Sequence, residues 1–161
     1  MRTILPGEPA THAEQNAKAH IDDIVGLWRL SFFDPATDSY FADVDPHAKD
    51  VADDYGWNVP EMTAADLQDA ITQAVSELPL SVRYMLTWNA GEKPNTDEPE
   101  EMEVVLTTGG PSLWITCAFG YDQIICDPAV YCSEAGTGQI RYSLSSDEQL
   151  AVQWMLGVLA A

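Results

Sequence analysis

The stretch LPLSVRYMLTW, Leu78–Trp88, decides the fold class. Before it, apolar residues recur every three or four positions. From Leu80 they recur every second one, with Leu80, Val82, Tyr84, Leu86 and Trp88 alternating with Ser81, Arg83, Met85 and Thr87. The first spacing lines one face of a helix and the second one face of a half-buried strand. Pro79 stands at the change, where a residue without a backbone N–H stops a helix.

Upstream, Thr11 and Glu14 form a capping-box pair ahead of Ala17, Ile21, Ile24, Val25 and Trp28, which predicts a helix over His12–Leu30. Residues 31–60 mix aromatics with aspartates and are punctuated by Pro35, Pro46 and Pro60, with room for a short helix from Pro46 to Tyr55. Thr63 and Asp66 open a further helix whose apolar stripe is Leu67, Ile71, Ala74, Val75 and Leu78. Downstream, Met102–Thr108 and Leu113–Phe119 are apolar, β-branched runs joined by Gly109-Gly110-Pro111, the composition of a hairpin turn. Gln123–Cys132 and Gln139–Leu144 add two strands, and Pro128 demands an edge position or a break in the first of them. Ser145 and Glu148 cap a last helix carrying Leu150, Val152, Trp154, Met155, Leu156 and Val158. Helices, then a meander of four to five antiparallel strands, then one helix predict an α+β fold with the C-terminal helix packed on the sheet. The length of 161 residues suits a single domain, with a mainly helical part at 1–79, an antiparallel sheet at 80–144 and the last helix at 145–161.

Acidic residues outnumber basic ones 26 to 7, a formal net charge of -19. Such a surface repels nucleic acid and anionic membranes and attracts cationic surfaces. The charge is concentrated in two sections. Asp38–Asp69 holds nine carboxylates against Lys49, and Glu92–Glu103 holds six against Lys93. If the segment after Pro46 is helical, Asp50, Asp53 and Asp54 share a face, because three- and four-residue spacings superimpose. Duplex DNA carries about one charge per 1.7 Å of axis, so a face of closely spaced carboxylates can fill a groove built for phosphates. The same charge is also accounted for by a solvated face that serves solubility, or by the surface habit of a salty cytoplasm. Tyr40, Phe41, Tyr55 and Trp57 lie among the densest aspartates, an arrangement suited to a protein interface, whereas most other aromatics are expected in the core. No signal-length apolar run opens the chain and none reaches the roughly 20 residues of a membrane helix, so the cytoplasm is the expected compartment.

Catalytic and metal readings find little support. Asp43, Asp45, His47 and Asp54 fall at positions one, three, five and twelve of a calcium-loop register, but Ala48 stands where glycine makes the sharp turn and Pro46 interrupts the loop. Cys117, Cys126 and Cys132 have no histidine nearby and read as packed thiols in a reducing compartment. His12 and His20 lie eight apart on one helix with nothing else to recommend them as a pair. The TTGGPS run at 107–112 lacks the Lys-Ser/Thr ending of a phosphate loop, and Glu100, Glu101 and Glu103 lack the apolar burial that tunes an acid–base carboxylate. No catalytic residue, metal or cofactor is therefore expected.

The segment Leu67–Leu159, with LPLSV at Leu78–Val82, VLTTGGPSLWI at Val105–Ile115 and a capped C-terminal helix, resembles a group of small acidic phage and mobile-element proteins that share a TGGP turn. Where those proteins carry a Trp-containing stretch after the third strand, this chain has IICDPAVYC at Ile124–Cys132, and no functional residue carries over. In size, acidity and lack of a catalytic signature the chain is also similar to phage inhibitors of bacterial defence, the anti-CRISPR and anti-restriction proteins that imitate DNA. That resemblance implies a non-enzymatic inhibitor whose acidic surface occupies the nucleic-acid-binding site of a basic partner, a CRISPR-Cas or restriction complex, without binding nucleic acid or membrane itself. The residues expected at such a surface are Asp43, Asp45, Asp50, Asp53, Asp54, Tyr55, Trp57, Glu98, Glu100 and Glu101. The alternative is an acidic interaction module whose charge serves solubility.

Overall fold

A computed structural model describes residues 2–3, 11–38, 45–86, 91–93, 98–136 and 138–161. The elements run β1 (Arg2–Thr3), α1 (His12–Leu30), α2 (Pro46–Asp54), α3 (Ala64–Glu77), β2 (Ser81–Met85), β3 (Glu101–Thr107), β4 (Ser112–Phe119), β5 (Ile125–Glu134), β6 (Gly138–Tyr142) and α4 (Ser146–Ala160). The α+β class holds, and the strands predicted from alternation form an antiparallel meander in the order β6-β5-β4-β3-β2. The two-residue β1 adds a short parallel pairing on β6. No described helix is long and apolar enough to cross a membrane.

The chain divides into two compact units. One holds Met1–Ala17 and Pro79–Leu144, and the other Lys18–Leu78 and Ser145–Ala161. In this sheet unit the hairpin between β3 and β4 turns at Gly109 and Gly110, whose φ values of 99° and 153° exclude most side chains, and Thr107 Oγ1 donates to the Pro111 carbonyl at 2.9 Å. Register places Met102, Val104, Ile115, Cys117, Val130, Cys132 and Ile140 on one buried face. Trp114 and Tyr131, stacked at 5.8 Å, lie half-buried on the other. Pro128 does not break β5. It sits beyond the last β5–β6 pair, Val130–Tyr142, beside a register shift against β4 and after Asp127 at φ 51°. The strand is central in the sheet, yet the proline needs no ladder partner on that side.

In the helical unit α4 packs with α3. Its buried residues are Ala151, Val152, Met155 and Leu156. Its Ser145–Glu148 capping box is complete, as is that of α1, where the Thr11 N–H donates to Glu14 Oε2 at 2.7 Å and the Glu14 N–H to Thr11 Oγ1 at 3.2 Å. Gly26 allows α1 and α2 to touch: a Cβ there would lie 2.5 Å from Val51 Cγ2 and 2.6 Å from the His47 carbonyl oxygen. Arg29 of α1 reaches the α2 N-cap and α4, with Nη1 3.1 Å from Asp45 and Nη2 3.2 Å from Asp147.

The expected aromatic core is corrected. Among the described residues none of the twelve aromatic side chains is buried, and the core consists of Ile, Leu, Val, Ala, Met and Cys. Phe32, Tyr84 and Tyr121 are among the exposed ones, and Leu80, read as inward-facing on the first strand, is 63% exposed.

Candidate functional site

The helical unit contains fifteen carboxylates and three basic residues, a net charge of −12, and the sheet unit eleven and four, a net of −7. All three bases of the helical unit are held in ion pairs: Lys18 with Asp22, Arg29 with Asp45 and Asp147, Lys49 with Asp53. The carboxylates outside those pairs therefore have no cation of their own unit to neutralise them. Asp50 and Asp54 stand exposed on α2, Asp66 and Asp69 on α3, and Asp23 on α1.

The helical register brings Asp50, Asp53 and Asp54 to one exposed face of α2. Asp45 serves the fold instead. Its Oδ1 accepts the His47 and Ala48 N–H groups at 3.1 and 3.2 Å as the α2 N-cap, and it pairs with Arg29. Because α2 begins at Pro46, the stretch read against a calcium loop is helix rather than loop. Asp43, Tyr40 and Phe41 lie outside the described residues. Glu98, Glu100 and Glu101 are exposed and belong to the sheet unit, where Glu101 opens β3 and the Glu100 N–H donates to the Met85 carbonyl at 3.0 Å. The two acidic sections thus fall in different units.

Tyr55 and Trp57 are brought together by the way α2 ends. Gly56 adopts φ 71°, the Trp57 N–H donates to the Ala52 carbonyl at 2.8 Å and the Gly56 N–H to the Asp53 carbonyl at 3.0 Å, which is a Schellman motif. The reversal lays the two rings face to face, 4.7 Å apart and 17° from parallel. They border a cleft of about 160 Å³ whose other side is a single stripe of α3: Ala70, Gln73, Ala74 and Glu77. Gln73 Nε2 donates to Glu77 Oε1 at 2.9 Å across the rim. Burial first, then the nearby charges of Asp23 and Glu77, push the Tyr55 hydroxyl above its ordinary pKa. Asp23 is itself raised, by burial and by the charges of Asp54 and Asp22, against an opposing pull from His20. Carboxylates from α1 and α3 thus act on the Tyr55 ring, and Asp54 of α2 acts on Asp23.

Tyr55, Trp57 and Asp54 were legible as site candidates in the sequence; Asp23 and Glu77 were not, since they lie on other helices and outside the densest acidic run. The DDYGW sequence at 53–57 carried the signal for the turn, a glycine just past a helix end.

In the sheet unit, burial pushes the Cys117 and Cys132 thiols up to about 11, with the nearby Glu14 charge contributing at Cys132. Both are protonated at neutral pH and behave as core residues. Half-buried Cys126 donates to the Ala118 carbonyl at 3.5 Å. No cluster of three or more metal-ligating side chains occurs among the described residues.

Comparison with known proteins returns no match, whether against family models, curated proteins or solved structures.

Proposed function

We infer that the protein is a non-enzymatic docking protein, an inhibitor of phage type, whose helical unit occupies the nucleic-acid-binding surface of a basic partner such as a CRISPR-Cas or restriction complex. The observation that carries this reading is charge left unneutralised: a net −12 in one compact unit whose three cations are all held in ion pairs. Exposed carboxylates at helical spacing along α2 stand in for phosphates. The mechanism is competition, steric and electrostatic, with neither nucleic acid nor membrane as a ligand.

Counterion release makes such binding strongly salt-dependent. In a competition assay, the protein displaces a labelled duplex from a CRISPR surveillance complex or restriction enzyme. Its apparent affinity falls by at least tenfold between about 50 and about 200 mM salt. Displacement that ignores salt would sink this mechanism. It would favour the second reading, an interaction module that binds through Tyr55 and Trp57 while its charge serves solubility, which the exposed Tyr55 ring stacked on half-buried Trp57 supports.

A further inference from the structure

The cleft beside Tyr55 and Trp57 has a more specific chemistry than the acidic face around it. One wall is a stacked pair of rings with Tyr55 42% exposed. The floor is the small-residue pair Ala70 and Ala74, one helical turn apart on α3, which leaves space for a flat group to lie against the rings. The rim presents acceptors. Gln73 points its amide nitrogen at Glu77, which leaves its carbonyl oxygen and the second Glu77 carboxylate oxygen to receive donors. The volume, about 160 Å³, is that of a cavity known to accept a benzene-sized group, about 150 Å³.

A flat ring wall, a shallow floor and two acceptors on one side define a complement for a planar, multidentate cation. An ammonium group is compact, strongly hydrated and lacks a flat face, whereas a guanidinium stacks on aromatic rings while donating in its own plane. We propose that this cleft is a binding site for one arginine side chain of the partner, its guanidinium lying on the Tyr55–Trp57 wall and donating to Glu77 and Gln73. The proposal rests on the reading of the helical unit as a docking surface for a basic protein, and it names the residue that surface reads. Asp23 supplies further negative charge near Tyr55, and Asp54 lies close enough to act on Asp23.

The test uses the intact protein and three probes, N-acetyl-arginine amide, N-acetyl-lysine amide and N-acetyl-citrulline amide, titrated at millimolar concentration while the Trp57 indole N–H is followed by NMR. The arginine probe shifts that signal saturably and binds at least about threefold tighter than the lysine probe, and the uncharged citrulline probe shifts it little. Glu77→Gln weakens arginine binding by about fivefold to tenfold with the other indole signals unmoved, which separates loss of the site from loss of the fold. Equal shifts by citrulline, equal binding of lysine, or no effect of Glu77→Gln each overturn the arginine site. A parallel titration with nona-arginine and nona-lysine tests the underlying docking surface. If both polycations bind in a salt-dependent way while the arginine probe leaves Trp57 unmoved, the docking surface stands and the cleft falls. If neither polycation binds, the docking surface itself falls.

Discussion

The two units of the molecule handle an excess of negative charge in opposite ways. In the sheet unit the eleven carboxylates face four basic residues. Arg83 reaches across the strands to Glu103 at 3.8 Å, and Arg141 stands exposed with no ion pair among the described residues. Arg141 there remains available on the surface. In the helical unit Lys18, Arg29 and Lys49 are all held by local acids, two of the pairs one helical turn apart, and they neutralise charges the helices would otherwise repel each other with. What is left over in that unit is of a single sign. A surface that keeps cations available can offset its own acids, but one whose cations are all bound presents a nearly uniform negative field to any partner. Net charge by itself does not make that distinction; the placement of the few bases does.

Matched charge reversals give the sharpest test of this contrast. Asp50→Lys, Asp53→Lys and Asp54→Lys together change the helical unit by six charges, and Glu98→Lys, Glu100→Lys and Glu101→Lys change the sheet unit by the same amount. All six positions are exposed, so both triple variants should fold. The first weakens binding to the basic partner by about 30- to 100-fold, chiefly through a slower association rate, and the second by less than about threefold. Surface plasmon resonance at two salt concentrations separates the rates. Equal losses would mean that total charge governs binding and that the difference between the units is irrelevant.

A smaller effect is expected from the packing that carries the helical surface. Gly26→Ala sets a methyl group 2.5 Å from Val51 Cγ2 and 2.6 Å from the His47 carbonyl, a backbone atom that cannot swing aside. Replacing a mid-helix glycine with alanine otherwise gains about 1 kcal/mol of helix propensity. The clash outweighs that gain, and urea denaturation gives a net loss of about 2 kcal/mol. A variant as stable as the parent would show that α1 and α2 can separate without consequence, and the rigid presentation of the α2 acids would have to be abandoned.

Gly26 also marks the limit of what the sequence made legible. Periodicity and capping residues give α1, α3, α4 and the antiparallel strands β2–β6, and Pro46 gives the start of α2, because those signals are local: Thr11 with Glu14, Ser145 with Glu148, the alternation after Pro79. The requirement for glycine at position 26 comes from a second helix arriving at that point, and nothing within a few residues announces it. The aromatics misled for a related reason. Their size suggests core, but this core closes with aliphatic residues and leaves rings such as Tyr55 and Trp57 at its margin. The candidate site was half legible. Asp54, Tyr55 and Trp57 are neighbours in sequence, whereas Asp23 and Glu77 join them only because three helices meet.

Asp23 provides the finest test, since its two roles have opposite signs. Burial, with Asp54 and Asp22 nearby, holds its carboxyl above the ordinary value of 3.8, so the charged form is less favourable in the folded protein than in the unfolded chain. Below the unfolded value the group is protonated in both states and the penalty is absent. It develops as pH rises from 3.8 through the raised value and is fully present at neutrality. Asp23→Asn should therefore match the parent near pH 3 and exceed it at pH 7 by a few tenths of a kcal/mol, a small gain because solvent screens a partly exposed carboxylate. Binding should move the other way, with affinity for N-acetyl-arginine amide falling about twofold to threefold as one of the charges around the Tyr55–Trp57 pair is removed. A gain in stability with a loss of binding identifies a carboxylate kept for its field at some expense to the fold. If stability and binding fall together, Asp23 supports the helices through His20, and the converging acids are a product of packing.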